Sequence, residues 1–511
     1  MAGKYRLSTL GCKVNQYESQ QIRELFESHG LRPALPSQSA DIAVINTCAV
    51  TAAALRKSRQ AIRRLARDGT PVVVVGCGAS ADSENLGRIP GVIAIVDHES
   101  DRIALLTSCI VETLKNTPSR STSETLPHSR NRPKAPTAQR NELCMSPHDP
   151  DKNPTGQPGD AGTYNIVTRT LPIVNTEMSK IGRIERFCGH QRAFLKVQDG
   201  CDAHCTYCII PRLRPRLAWK PVVAVVDEAR SLVAAGHKEI VVTGIFLGAY
   251  GRETAIRKRF DRSRSPLAEL VAALAEVDGL ERLRLSSLEP GDVDEALLEV
   301  LGTHQNCVPH LHLPLQSGSA EILRRMNRQY GRDAFRRMID RVKCALNRPA
   351  ISTDIIAGFP GESDADFEAT VEMAKEAGFA KIHAFPFSSR EGTAAARWKS
   401  QFVHPTTIRR RMDRLAEIGR ECSLAFRQRA IGLVERVLVE AHGNGSDADP
   451  ANPRIAHGRT DRYFAVHFAA PSIVKPGDLA AVRVDRVTPT RTHGTYLPLQ
   501  GSDLPLSVIS H

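Results

Sequence analysis

The 511-residue sequence lacks several features that would each define a class of protein. It has no apolar run long enough to cross a bilayer, which excludes a protein with transmembrane helices. It opens on a strand-like segment instead of a charged and then apolar leader, which argues against a signal peptide. Although it has 12 cysteines, it lacks the paired Cys-x-x-Cys arms of a zinc knuckle. The sequence therefore predicts a cytoplasmic protein, because a reducing compartment keeps thiols available as metal ligands.

Positive charge exceeds negative charge along the chain. Lys and Arg number 69 against 56 Asp and Glu, which gives a formal net charge of +13 at pH 7. Such an excess fits a polyanionic partner such as nucleic acid without proving one. The length suits roughly two to four domains.

Three cysteines lie together just after the strand-like run 193–198. Cys201, Cys205 and Cys208 are spaced by four and three residues. Cysteine sulfur is the soft ligand that iron–sulfur clusters select, and three thiolates leave one iron of a cubane open to a substrate. The alternative is a zinc site with His204 as fourth ligand, but this histidine lies inside the loop between two of the cysteines. The spacing favours a cluster.

A second set of cysteines shares one kind of position. Cys12, Cys48 and Cys77 each follow a predicted strand, at residues 5–10, 42–46 and 72–75. Helical patterns over 16–29 and 50–68 separate the strands, so we expect a parallel sheet whose strands end at one edge. Any one of these cysteines is explained equally well as a small buried hydrophobe. Three at equivalent strand ends predict a second cluster site.

Five stretches of sequence carry a resemblance to a known family: Thr9–Ser19, Asn46–Thr51, Arg192–Cys201, Leu313–Ser319 and Asp354–Glu362. With both sets of cysteines in this order, the chain resembles the methylthiotransferases of the radical S-adenosylmethionine (SAM) superfamily. It is most similar to the bacterial enzymes that methylthiolate N6-threonylcarbamoyladenosine beside the tRNA anticodon. The resemblance covers roughly residues 4–107 and 187–430, which is too many motifs for a chance match.

The expected fold is α/β with several domains. Residues 1–116 are predicted to form an N-terminal parallel α/β domain, and residues 179–430 a partial (βα)6 radical SAM barrel. Alternating short runs predict a small antiparallel β-barrel over 431–500, in the position of the family's RNA-binding TRAM domain. Residues 117–178 are rich in Pro, Ser, Thr and Asn without periodicity, which predicts a disordered insertion or linker.

The resemblance implies two 4Fe–4S clusters and SAM as cofactors. A cluster on Cys201, Cys205 and Cys208 would pass an electron to SAM, whose 5'-deoxyadenosyl radical takes the hydrogen from carbon 2 of the adenine. A cluster on the other three cysteines would carry the sulfur, methylated by a second SAM. The implied partners are tRNA and an unidentified electron donor, with no membrane.

Further residues at or near predicted strand ends, or in the cluster loop, are candidates to contact SAM or the substrate base: Tyr207, Gly244, Ser287, Glu289, Gln316, Asp354 and Gly358. Tyr207 is the aromatic residue that usually precedes the family's last cysteine. Ser287 and Glu289 are explained equally well as helix caps. His310 and His312 alternate along a strand, a placement more typical of packed or surface histidines than of metal ligands.

Two basic loops are candidates to bind anions. The segment after Cys208 departs from the family pattern but keeps Arg214 and Arg216, either of which is predicted to pair with a substrate carboxylate. The loop 252–264 either grips phosphates or is a solvated run of charge.

Other functions stay open at this point. One is the same chemistry on isopentenyladenosine in tRNA or on an aspartate of a ribosomal protein. Another is a non-catalytic iron–sulfur protein that binds RNA, which would not cleave SAM. The motif Lys13–Gln16 after Cys12 matches the threonylcarbamoyl branch better than its sisters.

Overall fold

The computed structural model describes residues 3–98, 102–116, 182–261, 263–442 and 454–498. The predicted insertion at 117–178 lies outside the described residues. Within the described ranges, no helix combines the length and the apolar character needed to cross a membrane.

The N-terminal domain is a five-stranded parallel sheet in the order β2-β1-β3-β4-β5. Its strands are β1 Lys4–Thr9, β2 Arg32–Pro33, β3 Ile42–Thr47, β4 Val72–Gly76 and β5 Val92–Val96. Its helices are α1 Lys13–Ser28, α2 Ala52–Ala66, α3 Cys77–Ala81, α4 Ser83–Gly87 and α5 Arg102–Asn116. The parallel α/β domain is confirmed. Strand β2 was not predicted, because a two-residue edge strand that ends in proline carries no periodicity.

The second domain contains six parallel strands, as predicted: β6 Arg192–Asp199, β8 Glu239–Gly244, β9 Arg282–Leu285, β10 His310–His312, β11 Ala350–Ala357 and β12 Lys381–Pro386. The short strand β7 Ala218–Trp219 pairs antiparallel with β6. Two sheets, β7-β6-β8-β9 and β10-β11-β12, are joined by isolated parallel bridges between β9 and β10. This arrangement is an open, partial barrel. Its helices are α6 Ile210–Leu213, α7 Val222–Ala234, α8 Pro266–Ala275, α9 Glu295–Thr303, α10 Ala320–Arg325, α11 Arg332–Ala345, α12 Asp364–Ala377 and α13 Pro405–Gln428.

Strand β10 is short and ends at His312. Leu313 still donates its N–H to the Ser352 carbonyl at 2.8 Å. The next residue, Pro314, has no N–H to donate, and Gln316 has a positive φ of 62°. Regular pairing therefore stops, and only a single bridge joins Gln316 to Ile355.

The C-terminal domain is a closed five-stranded barrel in the order β13-β14-β15-β17-β16. Its strands are β13 Val434–His442, β14 Arg454–Thr460, β15 Ala465–Ala470, β16 Leu479–Val487 and β17 Thr492–Leu497. Four pairs are antiparallel, but β15 and β17 pair in parallel. A closed ring with an odd number of strands cannot alternate direction throughout, so one pair must be parallel. In that one pair the purely antiparallel prediction was wrong.

Buried charges join the N-terminal domain to the partial barrel. Glu18 of α1 pairs with Lys196 of β6 and with Arg214, each at 2.8 Å. Asp199 pairs with the same two cations, each at 2.7 Å. The side chains of Glu18, Lys196 and Arg214 are at most 2% exposed. Three charges are thus removed from water, while Asp199 keeps 24% of its side chain exposed. This burial is tolerable because each charge has partners.

A second buried cluster of polar groups lies beside the first. The Tyr17 hydroxyl donates to Glu228 at 2.6 Å, and Lys220 donates to Tyr17 at 2.7 Å and also pairs with Glu228. Because Tyr17 and Glu18 are consecutive on α1, this helix is held to the barrel at two adjacent positions.

The C-terminal barrel is attached to the amino-terminal end of the partial barrel. Arg282 of β9 pairs with Asp461 at 3.1 Å and donates to the Thr460 carbonyl at 2.8 Å. Helix α13 adds a second attachment, because Arg427 donates to the carbonyls of Thr488 and Pro489. Helix α13 therefore packs between domains.

Replacing Glu18 with Ala should leave Lys196 and Arg214 with Asp199 as their one remaining carboxylate. Breaking a buried ion pair from one side typically costs about 3–5 kcal/mol. We expect a loss of that order in the free energy of unfolding, measured by urea denaturation of the metal-free protein. Glu84→Ala is the control, since Glu84 forms an exposed pair with Arg88 and such pairs contribute about 1 kcal/mol or less. Equal losses in both variants would contradict the assignment of this network.

Candidate functional site

The N-terminal cysteines meet at one edge of the sheet. They follow β1, β3 and β4, which are neighbours in the sheet. A Cβ built on Gly11 would lie 3.0 Å from the Cβ of Cys48, and one built on Gly78 would lie 3.6 Å from the Cys48 carbonyl oxygen. Cys12 and Cys77, the neighbours of these glycines, therefore flank Cys48. Neither glycine position has room for a larger residue.

Burial keeps two of these thiols neutral in the metal-free protein. Cys48 and Cys77 are buried, whereas Cys12 is exposed. Burial raises the pKa of Cys77 to about 11, with Arg214 acting in the opposite direction. Burial also raises the pKa of Cys48, and the nearby Cys12 thiol adds to the increase. Metal ligation requires thiolates, so binding of a cluster by these cysteines would release protons.

Two asparagines join the loops that carry Cys12 and Cys48. Asn15 donates to the Leu10 carbonyl at 2.8 Å and to the Thr47 carbonyl at 3.0 Å, and its side-chain oxygen faces the Cys12 sulfur at 3.7 Å. Asn46 donates to the Asn15 carbonyl at 2.9 Å. We did not predict either residue as functional, although both lie in the stretches that carry the family resemblance. Their side chains fix where the cysteines point.

The barrel cysteines lie on a loop that only glycine can begin. Gly200 has a φ of 77°, and a Cβ there would lie 1.8 Å from the Arg216 carbonyl oxygen. The loop then returns so that Cys201 donates its N–H to the Arg214 carbonyl at 3.0 Å. The Ala203 N–H points at the Cys201 sulfur at 3.4 Å. A backbone donor aimed at sulfur suits a thiolate ligand.

The barrel thiols are also shifted by burial. Burial raises the pKa of Cys201 to about 12 and that of Cys208 to about 12. Burial raises the pKa of Cys205 as well, and the guanidinium of Arg328 opposes the increase. Cys205 is therefore the thiol of this set with a cation beside it.

Arg328 brings two predicted residues to this cysteine. Its Nη1 donates to the Cys205 sulfur at 3.1 Å and to the Tyr207 hydroxyl at 3.2 Å, while its Nη2 pairs with Glu289. Arg257 pairs with Glu289 from the other side. The sequence contained no signal for Arg328, because it lies between α10 and α11 outside any motif.

Glu289 takes the capping role that the sequence left open, and its carboxylate also pairs with Arg328 and Arg257. It caps the short 3-10 helix Pro290–Asp292, whose Asp292 carboxylate accepts the Glu289 N–H at 2.8 Å. Burial raises the pKa of Glu289, but Arg328 and Arg257 overcome this and hold it below the usual range. Arg257 comes from the predicted basic loop and is buried, so it does not grip phosphates, whereas Lys258 in the same loop is exposed.

The two sets of cysteines face each other across the domain boundary. Ile209 and Leu213, which follow Cys208, pack against Ala49 and Cys77 of the N-terminal domain. The Cys77 and Cys208 thiols are close enough to interact electrostatically. The apolar contact covers Cys77 at this boundary.

The remaining candidates lie on the same side of the barrel but contact different groups. Gly244 ends β8, and a Cβ there would lie 2.9 Å from the Gln198 side-chain oxygen. Ser287 is exposed. The Gln316 N–H donates to the Asp354 carbonyl, and the Gly358 N–H to Glu362 at 2.7 Å.

Asp354 differs from its expected position. It lies inside β11, and its carboxylate is 3.2 Å from Nε2 of His312. Ser352 contacts His312 at 3.0 Å and His310 at 3.1 Å. Both histidines are thus packed and hydrogen-bonded, as expected for this pattern.

The prediction that Arg214 pairs with a substrate carboxylate was wrong. Its side chain is 2% exposed and is committed to Glu18 and Asp199. Its partner Asp199 ends β6, and its partner Glu18 comes from α1, which is distant in the chain. The local sequence around Arg214 contains no sign of the pair with Glu18. Arg216 is exposed and has no such commitment in the described residues.

Among the residues that the structure describes, no group of three or more His, Cys, Asp or Glu side chains is placed to hold a single metal ion. A cubane iron–sulfur cluster requires a different arrangement of ligands. Each thiolate binds its own iron, so the sulfurs need not converge on one point.

Comparison with known proteins identifies two regions of the chain. Residues 4–97 match the family described as Uncharacterized protein family UPF0004. Residues 195–374 match the Radical SAM superfamily. The two regions contain the two sets of cysteines.

Curated relatives match nearly the whole chain. The threonylcarbamoyladenosine tRNA methylthiotransferase MtaB of Chlamydia pneumoniae is 32% identical over 488 residues, which are 95% of this chain and 96% of that protein. The enzyme of the same name from Bacillus subtilis is 32% identical over 90% of this chain and 89% of its own length. The tRNA-2-methylthio-N(6)-dimethylallyladenosine synthase of Frankia alni is 32% identical over 96% of this chain and 88% of its own.

A solved structure shows more distant similarity. The radical S-adenosylmethionine methyltransferase TsrM of Kitasatospora setae, with cobalamin and a 4Fe–4S cluster bound, is 16% identical with a TM-score of 0.47, covering 76% of this chain and 72% of that one.

The fold and the matched regions define a radical SAM enzyme. Given the full-length relatives, the chain belongs to the radical SAM tRNA methylthiotransferases. Members of this family use 4Fe–4S clusters and SAM. The chemistry of the donors fits, because both sets consist of thiols that are not in disulfides.

Replacing Arg328 with Met should disturb the environment of Cys205 without removing the cysteine. The loss of a cation and of a hydrogen bond to sulfur makes the cluster harder to reduce, so we expect a more negative reduction potential by electron paramagnetic resonance (EPR) titration. Loss of such an outer-shell partner typically costs about 10- to 100-fold in activity, here measured as SAM cleavage. Arg324→Met on α10, whose side chain is exposed and pairs with Glu321, is the matched control. Unchanged potential and cleavage in the Arg328 variant would contradict its role.

Proposed function

We propose that the chain inserts a methylthio group at carbon 2 of N6-threonylcarbamoyladenosine in tRNA. The observation that carries the proposal is the meeting of two sets of three cysteines across one domain boundary. In this proposal Cys201, Cys205 and Cys208 hold one cluster, and the N-terminal cysteines hold the other.

The bound cofactors supply the radical chemistry and the sulfur. The chain's own residues position and enclose them. Arg328 fixes Cys205, Tyr207 and Glu289 relative to one another, and its positive charge favours the thiolate of Cys205. The segment Thr243-Gly244-Ile245 has no glutamate side chain that could receive the SAM amino group. Gly244 is therefore proposed to offer its backbone carbonyl to that group.

Enclosure comes from the interface itself. The apolar contact of Ile209 and Leu213 with Ala49 keeps water from the space beside Cys77. A reactive intermediate formed there would be protected from side reactions with solvent. Ser287, Gln316, Asp354 and Gly358, along the same side of the barrel, are proposed to contact SAM or the base.

The opening motif Lys13–Gln16 supports the threonylcarbamoyl substrate over the isopentenyl one. Coverage does not separate the two, because relatives named for either nucleoside match over 96% of their own length. The Frankia alni relative, which is named for the dimethylallyl nucleoside, is also 32% identical to this chain. The substrate experiment therefore includes the isopentenyl nucleoside as an alternative outcome.

The two clusters should be separable by mutation, because they share no ligand. Cys205→Ala should abolish SAM cleavage and leave a cluster on the N-terminal domain. Cys48→Ala should leave SAM cleavage intact and stop sulfur insertion. Iron and sulfide analysis, SAM cleavage and product formation by the anaerobically reconstituted protein measure all three properties. Cys344→Ala, at an exposed thiol, is the control.

Product formation by the Cys48 variant at the wild-type rate would remove the N-terminal cysteines from the mechanism. Absence of SAM cleavage in the wild-type protein with both clusters loaded would instead favour a non-catalytic RNA-binding protein.

Nucleoside mass spectrometry of tRNA from a deletion strain tests the substrate. We expect threonylcarbamoyladenosine to accumulate without its methylthio group, and the reintroduced gene to restore the modified form. If isopentenyladenosine accumulates instead and threonylcarbamoyladenosine is unaffected, the enzyme belongs to the other branch with the same fold and cysteines.

A further inference from the structure

A pocket with a volume of about 750 Å³ opens beside the loop between Cys201 and Cys205. His204 of this loop lies in the pocket wall, next to Asn327, whose side-chain amide donates to the His204 carbonyl at 2.8 Å. Other parts of the wall come from the basic loop 252–264 and from helix α11. We call the space bounded by these segments the basic pocket.

The basic pocket carries positive charge that no neighbouring carboxylate balances. Lys258 and Arg337 lie in its wall, and both are exposed. Arg341, which is also exposed, donates to the carbonyl of Val293 at 2.7 Å, and this partner is neutral. Within the described part of the chain, no Asp or Glu lines the pocket and none of these three cations forms an ion pair. An acidic surface would therefore be attracted to the pocket.

The basic pocket lies directly against the cysteines of the partial barrel. Arg328 is part of its wall and donates to the Cys205 sulfur at 3.1 Å. The N-terminal domain meets these cysteines at a different place, where Ile209 packs against Ala49 and Cys77. Among the described residues, none from the N-terminal domain or the C-terminal barrel lines the pocket. The pocket thus gives access to one set of cysteines and not to the other.

We propose that the basic pocket is the docking site for the acidic surface of a small one-electron carrier protein, which supplies the electron for SAM cleavage. The inference rests on the proposed function, in which Cys201, Cys205 and Cys208 hold the cluster that reduces SAM. The carrier is oxidised by one electron and the cluster is reduced by one, and no bond forms or breaks in the docked complex. A small charged surface is sufficient for this purpose, because electron-transfer complexes are typically small and weak.

The pocket fits a carrier protein better than it fits the tRNA. A tRNA base must reach both sets of cysteines, whereas an electron carrier needs to approach one. Grooves for single-stranded RNA typically combine positive charge with exposed aromatic rings on which bases stack. Of the described residues that line the pocket, Tyr330 is the only Phe, Tyr or Trp, and it is buried with its hydroxyl donating to the Pro314 carbonyl at 2.6 Å. Arginine and methionine, here Arg337 and Met338, are instead enriched in protein interfaces.

Reduction of the anaerobically reconstituted protein by an acidic flavodoxin, used as the one-electron carrier, tests the docking site. The double variant Lys258→Glu with Arg337→Glu reverses two exposed charges and leaves Arg328 in place. Stopped-flow absorbance should show reduction slowed by about 10- to 100-fold at low salt, because electrostatic steering changes association rates on this scale. Surface plasmon resonance should show a parallel loss of flavodoxin affinity. Added salt should slow wild type and have little effect on the variant.

Two controls separate docking from damage to the cluster. Lys343→Glu reverses an exposed charge on α11 outside the pocket wall and should behave as wild type. Reduced methyl viologen is a small cationic reductant that needs no docking surface, so it should reduce wild type and the double variant at similar rates.

Slower reduction of the double variant by flavodoxin alone, with unchanged affinity for tRNA, would support the docking site. Reduction by flavodoxin at the wild-type rate would overturn it. A loss of tRNA affinity with unchanged flavodoxin binding would also overturn it and assign the pocket to RNA. Absence of SAM cleavage by wild type after reduction with methyl viologen would instead overturn the proposed function, and this result is independent of the docking measurements.

Discussion

The buried ion pairs between α1 and the first strand of the partial barrel are the constraint on which the rest of the site depends. Glu18 contacts Lys196 and Arg214 at once, and no solvent competes for these charges. Arg214 then extends the constraint in two directions. Its carbonyl accepts the N–H of Cys201, and its guanidinium opposes the burial that raises the pKa of Cys77. One arginine is therefore linked to both sets of cysteines, so a displacement of either domain would disturb both sites. The cost of burying these charges is offset only in the docked arrangement, which makes the docking specific.

Ion pairs also attach the C-terminal barrel to the partial barrel. Its turn pairs Asp461 with Arg282 and places Tyr463 among arginines, so a domain in the position of an RNA-binding module is fixed to the catalytic one. The turn between β14 and β15 also covers the amino-terminal end of the partial barrel. The side chains around this turn are rich in cations, while the contact between Ile209 and Ala49 near the cysteines is apolar.

The sequence was sufficient for features that depend on local periodicity. Alternating strand and helix patterns determine a parallel sheet, and a parallel sheet brings Cys12, Cys48 and Cys77 to one edge. Side-chain partners were harder to predict, because they are chosen by contacts between distant segments. Arg214 seemed free until Glu18 approached from α1, and Arg328 had no motif to mark it. The parallel pair in the C-terminal barrel follows from closure of a five-stranded ring, which a list of strands does not reveal. For the insertion at 117–178, composition remains the sole basis of the prediction.

The central claim is that the two sets of cysteines hold clusters that face each other across the domain boundary. EPR spectroscopy of the doubly reduced, fully reconstituted enzyme measures this directly, because two nearby paramagnetic clusters broaden and split each other's signals. The account predicts a spin–spin interaction that disappears when either set of cysteines is removed. A spectrum equal to the sum of two independent clusters, with both fully loaded and reduced, would contradict it.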